Sequence, residues 1–185
     1  MQGAVSRADN QIRVIVASNA QHLQDAYAVR AICFMEDTGI SMRRAFDGND
    51  FQATHVVVYA GDEPIGGARI RWFSGFAKIE RSAFRKAYRN PRFLKHAANF
   101  IFDHAARKGY SQVTTLARHD FAVMWVRLLG FREIENRAPI IREGEVYVHL
   151  LKDISPRDDA ISIHTDPNVL MRVEGTWDTP SPFEI

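Results

Sequence analysis

The sequence predicts an α/β fold, a mixed and mostly antiparallel sheet of about seven strands flanked by about four helices, with a C-terminal extension. Three features point there. Short β-branched runs bounded by glycine-containing turns follow one another between residues 54 and 84. Before and after them, apolar residues recur every three or four positions between helix start and stop signals. From Ser155 onward the composition changes to a tail punctuated by Pro156, Pro167, Pro180 and Pro182. A chain of 185 residues suits one domain with a real core. The expected division is an N-terminal tail (1–11), a main domain (12–152) and an extension (153–185).

In chain order, Ile12 to Val16 reads as a first strand. Ser18 is the expected cap of the first helix, with Gln21 completing a capping box. Leu23, Ala26, Tyr27, Ala31 and Phe34 form its buried stripe. A short helix over Ser41 to Phe46 and a polar turn at Asp47-Gly48-Asn49-Asp50 follow. Thr54 to Ala60, Ile65 to Phe73 and Ala77 to Phe84 read as a meander turned by Gly61-Asp62-Glu63-Pro64 and Ser74-Gly75. Asn90-Pro91 opens the clearest helix, because Asn caps well and Pro suits the first helical position. Phe93, Leu94, Ala97, Ala98, Ile101, Phe102 and Ala105 make its stripe, and Lys108-Gly109 stops it. Val113 to Ala117 is a short strand. Asp120 is the expected cap of a helix through Trp125 to Leu129, ended by Gly130. Ile134 to Ile141 and Glu145 to Leu151 form a closing hairpin. In the tail, Ala160 to His164 and Val169 to Val173 are strand-like, and Trp177 and Phe183 suggest docking on the domain or on a neighbouring subunit of a homodimer.

The bulk numbers exclude several classes. Twenty-four basic and twenty-two acidic side chains nearly cancel, which argues against nucleic acid as the main partner. One cysteine, Cys33, rules out an internal disulfide framework. The seven histidines are scattered without metal-ligand spacing, so no metal is expected. No run approaches a membrane span, and the N-terminal residues lack a signal-peptide core, so the expected location is the cytoplasm.

Several strings in this order resemble the GNAT superfamily of N-acyltransferases. They are Arg30-x-x-Cys33-Phe34-Met35-Glu36, Phe46-Asp47-Gly48-Asn49-Asp50, Ala53-Thr54-His55-Val56-Val57, Pro64-Ile65-Gly66-Gly67-Ala68-Arg69-Ile70, Ile79-Glu80-Arg81-Ser82-Ala83-Phe84 and Leu129-Gly130-Phe131. Together they span about residues 12–152. The resemblance implies a cleft where the fourth strand splays from the fifth. There the pantetheine arm of acetyl-CoA or another acyl-CoA would pair with backbone groups of Ser82, Ala83 and Phe84, a β-augmentation by a ligand. The pyrophosphate would meet the start of the third helix, at Arg89, Asn90, Arg92, Phe93, Leu94 and Lys95.

The pyrophosphate loop departs from the family pattern. Arg92 and Leu94 stand where small residues are usual, and Pro91 removes an N–H. Charge-assisted contacts from Arg89, Arg92 and Lys95 are the expected substitute. The same departure, with the Asp47/Asp50 turn, resembles acyl-homoserine lactone and N-acyl amino acid synthases, some of which use acyl carrier protein. Arg85, Lys86, Arg89, Arg92 and Lys95 would suit that acidic partner. The family's usual acid, a Tyr before the Leu-Gly-Phe string, is replaced by Val126, beside Trp125.

Glu80 is the candidate base, or else a carboxylate paired with a cation of its sheet. Simple alternation along its strand puts it on one face with Ser82 and Phe84. His119 is a second candidate base, or a helix-start histidine. Glu36, Asp37, His55 and Trp125 are candidates for acceptor binding, with a hydrogen-bonded sheet histidine as the alternative for His55. The expected function is acyl transfer from acyl-CoA to a small-molecule or peptide amine. Transfer from acyl carrier protein and ligand binding without turnover are the other two expectations.

Overall fold

The computed structural model describes residues 12–184. In chain order these are β1 (Ile12–Val16), α1 (Ala20–Arg30) continuing as a π-helical segment (Ala31–Glu36), α2 (Met42–Ala45), a 3-10 turn (Gly48–Gln52), β2 (Thr54–Ala60), β3 (Glu63–Phe73), β4 (Phe76–Phe84), α3 (Pro91–Arg107), β5 (Gln112–Arg118), α4 (His119–Leu129), β6 (Arg132–Glu133), β7 (Ile140–Arg142), β8 (Glu145–Asp153) and α5 (Pro167–Met171). The sheet runs β1-β2-β3-β4-β5-β8-β6, with β7 also on β8. Every pairing is antiparallel except β4 with β5. A parallel pair needs a long crossover, and α3 supplies it.

Alternation along the strands splits the apolar residues between two faces. Val56, Val58, Ala68, Ile70, Ile79, Val113, Ala117, Val148 and Leu150 pack against α3 and α4. Val57 and Tyr59 pack against Ala26 of α1. The amphipathic stripe of α3 lands as its spacing predicts, with Ala97, Ala98, Ile101, Phe102 and Ala105 buried. Asn90 caps that helix, its side chain accepting from the Arg92 N–H.

Other element ends moved. The cap of α1 is Asn19 rather than Ser18, because the Asn19 side-chain oxygen accepts from the His22 N–H at 2.9 Å. The residue at the cap of α4 is Arg118; Asp120 instead takes the Arg118 guanidinium. The predicted strand Ile134–Ile141 is interrupted between Glu133 and Ile140. Asn136 there is left-handed, and Pro139 lacks the N–H that a ladder needs. The strand-like tail segments are not strands. Asp166 caps Pro167–Met171 into a helical turn, with Pro at its start. Residues 1–11, expected as a tail, lie outside the described residues.

The extension packs on its own domain. Its Ile161 N–H donates to Arg107 at the end of α3, Trp177 stacks on His104 at 5.2 Å, and Glu174 bonds His104, Lys108 and Thr54. Burial alone would raise the Glu174 pKa; hydrogen bonds and charge from His104 and Lys108 outweigh it and hold the carboxyl near about 2. Phe183, expected to dock, is 87% exposed. Among the described residues no helix is long and apolar enough to cross a membrane.

Candidate active site at the β4–β5 gap

Strands β4 and β5 pair only at Ala77 with Val113, Lys78 with Thr114 and Ile79 with Thr115. Beyond that level β5 continues on β8, from Leu116 with His149 to Arg118 with Tyr147, while β4 continues on β3. The two strands therefore part, and Glu80 to Phe84 border a gap. The Arg85 N–H donates to Ile65 at 2.9 Å. Peptide groups alternate along a strand, so those of Ser82 and Phe84 turn away from β3 toward the gap, while Ala83 turns to β3. Of the three residues expected to offer backbone to a ligand, Ser82 and Phe84 have peptide groups turned to the gap and Ala83 does not.

A β-bulge determines which side chains reach which face. Gly67 pairs with Ala83 but Arg69 pairs with Glu80, so two residues of β4 oppose Ala68 alone. The extra residue is Arg81, held at φ 54°. The bulge reverses the alternation. Glu80 faces the α1 side with Arg69, whereas Ser82 and Phe84 face α3, contrary to the simple pattern. Phe84 lies across Gly66, where an added Cβ would stand 2.5 Å from the ring.

On the α3 and α4 side the gap is apolar. Ser82, Phe84, Leu94, Ala97, Ala98, Ile101 and Trp125 line a cavity of about 20 Å³, room for one water. Trp125, a candidate for acceptor binding, is thus on the α3 and α4 side of the gap. At its outer end, the first turn of α3 offers few amides. Pro91 has none, Arg92 gives its N–H to the Asn90 side chain at 2.8 Å, and Leu94 gives its N–H to Asn90 O at 3.1 Å. Phe93 is left. Arg92 and Lys95 are exposed beside it. Arg89, expected there, pairs instead with Asp37 and donates to Phe84 O. Arg85 pairs with Glu63.

On the α1 side the same gap meets a buried ionic cluster. Arg69, 2% exposed, donates to Asp47 and Asp50 at 2.8 Å and to Glu80 at 2.6 Å. Arg30 makes a two-pronged bond to Asp50 at 2.7 and 2.9 Å. Asp47 and Asp50 are joined by a capping box across the 3-10 turn, which fixes both carboxylates toward the arginines. Burial would raise the Asp50 pKa, but the Arg30 and Arg69 bonds outweigh it and hold it near about 2. Burial likewise opposes ionisation of Glu80, yet Lys78 at 2.7 Å and Arg69 bring its pKa below the usual value. His55 is buried in this cluster, its Nε2 3.0 Å from Asp50 O and its ring edge-on to Tyr27. It therefore stabilises the cluster rather than meeting solvent. The rim is closed by an ion pair between Arg44 of α2 and Glu143 of the β7–β8 turn.

Glu36 and His119 are exposed, at the end of the π-helical segment and at the first residue of α4. His149 went unnoticed in the sequence. It alternates with the buried Val148 and Leu150, so it faces the charged side beside Leu116, where the strands have just parted. Burial first, then Arg137 and Lys78, push its pKa below the usual histidine value. Arg69 carried a readable signal: a charged residue between Ala68 and Ile70 of a buried strand demands an internal partner.

No family model matches the chain. The uncharacterized N-acetyltransferase YjcF of Bacillus subtilis is 30% identical over 142 residues, which is 77% of this chain and all of that protein. A Lactobacillus plantarum protein classed as an N-acetyltransferase is 25% identical and superposes with a TM-score of 0.67, over 78% of this chain and 99% of its own. A GNAT family acetyltransferase of Elizabethkingia anophelis, solved with acetyl-CoA bound, has a TM-score of 0.61 over 78% of this chain and 99% of its own, at 13% identity. That last likeness concerns the fold.

Proposed function

The chain belongs to the GNAT N-acetyltransferase superfamily and is an acyltransferase, and from that premise we propose that it moves an acetyl or longer acyl group from acyl-CoA to an amine by direct attack. The observation that supports this reading is the end of β4–β5 pairing at Ile79 and Thr115, with the peptide groups of Ser82 and the N–H of Phe84 turned to the gap beyond it. A pantetheine arm is a chain of amides and methylenes. Its amides suit those peptide groups, and its methylenes suit Leu94, Ala97, Ala98 and Ile101. Arg92 and Lys95 take the phosphates by charge where α3 lacks amides.

The thioester carbonyl then lies at the gap, near the bulge. Its developing oxyanion takes a backbone N–H of β4 beside the bulge. The amine arrives from the charged side, bounded by Arg44 and Glu143. Glu80 is held ionised by Arg69 and Lys78, which suits it to orient an incoming ammonium better than to remove its proton. His149, kept neutral by burial and by Arg137 and Lys78, is the better proton acceptor, directly or through water. His119 is the second candidate. The thiolate leaves unaided by a named acid, which a thiol pKa near about 8.5 permits.

Thiol release from acetyl-CoA, a long-chain acyl-CoA and an acylated carrier protein, each with a panel of amines, tests the reading. Release with acyl-CoA and an amine supports it. Release only from the carrier protein would transfer the donor role there. The pH profile of kcat/KM assigns the base: His149→Asn is expected to lose the acid limb, while Glu80→Gln keeps it and raises the acceptor KM. The reverse pattern would return the base to Glu80.

A further inference from the structure

The charged side of the gap holds more positive charge than its own carboxylates use. Arg30, Arg69, Arg71, Lys78 and Arg81 face Asp47, Asp50 and Glu80, five cations against three anions. Arg44 does not alter that balance, since it has its own partner in Glu143. The histidines of this side, His55 and His149, both have pKa values lowered first by burial, which disfavours their cationic form, and a histidine offers no anion in either state.

The surplus is not spread evenly. Arg30 and Arg69 are buried and bonded to carboxylates; the Arg30 Nε has no partner, but that side chain is closed off from solvent, and Lys78 lies 2.7 Å from Glu80. Arg71 sits farther out, 3.9 Å from Glu80, with its guanidinium over the Phe73 ring. Arg81 is the cation at the gap itself. One of its terminal nitrogens donates to Arg44 O at 2.8 Å and to Asp47 at 3.1 Å, and its Nε is buried without a partner. Asp47 is shared with Arg69, which binds it through two nitrogens. Arg81 is thus a half-satisfied guanidinium, placed among other cations by a backbone at φ 54°, a conformation costly for any residue but glycine. A guanidinium so placed is expensive unless an anion completes its shell.

Resting on the acyl-transfer reading, we propose that the acceptor is an amine that also bears a carboxylate, of the amino-acid class, and that Arg81 binds that carboxylate while the amine reaches the thioester between β4 and β5. Arg81 belongs to the residue step at which the strands part, so a carboxylate on its free edge leaves an amine one or two carbons away facing the gap. The planar fork of arginine matches a carboxylate better than a lysine would. Arg71 and Lys78 lie behind it and add attraction without direct contact.

The test measures thiol release from acetyl-CoA with the twenty amino acids, their amides and phosphoethanolamine, each corrected for its fraction of neutral amine. At least one amino acid is expected to exceed its amide by about tenfold or more in kcat/KM. Arg81→Gln is expected to bring that ratio near one by raising the KM of the acid, and Arg81→Lys to recover part of it. Melting curves of both variants establish that they fold. Equal or better turnover of amides or of phosphoethanolamine would overturn the proposal while leaving acyl transfer intact, as would a ratio unchanged in Arg81→Gln. Absence of thiol release with every amine and every donor would remove the acyl-transfer reading and this proposal with it.

Discussion

At the level where β4 leaves β5, the sheet presents one side of alanine, leucine, phenylalanine and tryptophan to α3 and α4, and another side of arginine and aspartate to α1 and α2. The two sides are separated by one layer of backbone. The apolar side can adjust, because its contacts are non-directional and a small cavity already exists there. The ionic side cannot, because Arg30 and Arg69 are bonded to fixed carboxylate oxygens, and removing one partner would leave the other charged and buried. An adaptable apolar wall and a rigid ionic wall therefore meet at a single gap.

Breaking the rigid side should have the largest effect. Asp50→Asn strips Arg30 and Arg69 of a shared anion and is expected to cost about 3–5 kcal/mol, a melting temperature lower by on the order of 10 °C. A variant melting within about 2 °C of the wild type would show that the cluster is solvated and the contrast false. The donor side should respond in binding rather than in stability. Arg92→Ala with Lys95→Ala is expected to raise the acetyl-CoA Kd about tenfold, less at high salt, with little change in melting. An unchanged Kd by calorimetry would mean that charge does not replace the missing amides. The smallest effect belongs to the extension, far from the gap. Glu174→Gln should cost about 1 kcal/mol, or roughly 2–4 °C. Because the folded Glu174 pKa lies below its ordinary 4.5, that contribution is present above pH about 4.5. It fades as pH falls toward about 2, so wild type and variant should converge in acid.

The regular parts of this fold were legible because periodicity and caps report burial directly. The stripe of α3, the Asn90-Pro91 start and the β2–β3–β4 meander all stand close to where spacing put them. The site was legible in composition but not in geometry. Glu80, Ser82 and Phe84 were picked out, yet alternation put them on one face, since no residue type announces a bulge at an arginine. Arg89 and Asp37 were assigned to opposite ligands, and the fold joins them to each other, a pairing across 52 positions that local pattern cannot show. His149 was passed over because its importance comes from standing beside Leu116, a long-range neighbour, and not from its own string.

The single extra residue in β4 also has a developmental meaning for the protein's engineering. Removing Arg81 would set Ser82 opposite Ala68 and restore simple alternation, leaving Glu80 with the arginines and Phe84 on Gly66 while losing the local bend. The neighbours on either side would keep their faces, so what the extra residue supplies is the bend in the strand and the arginine at the gap.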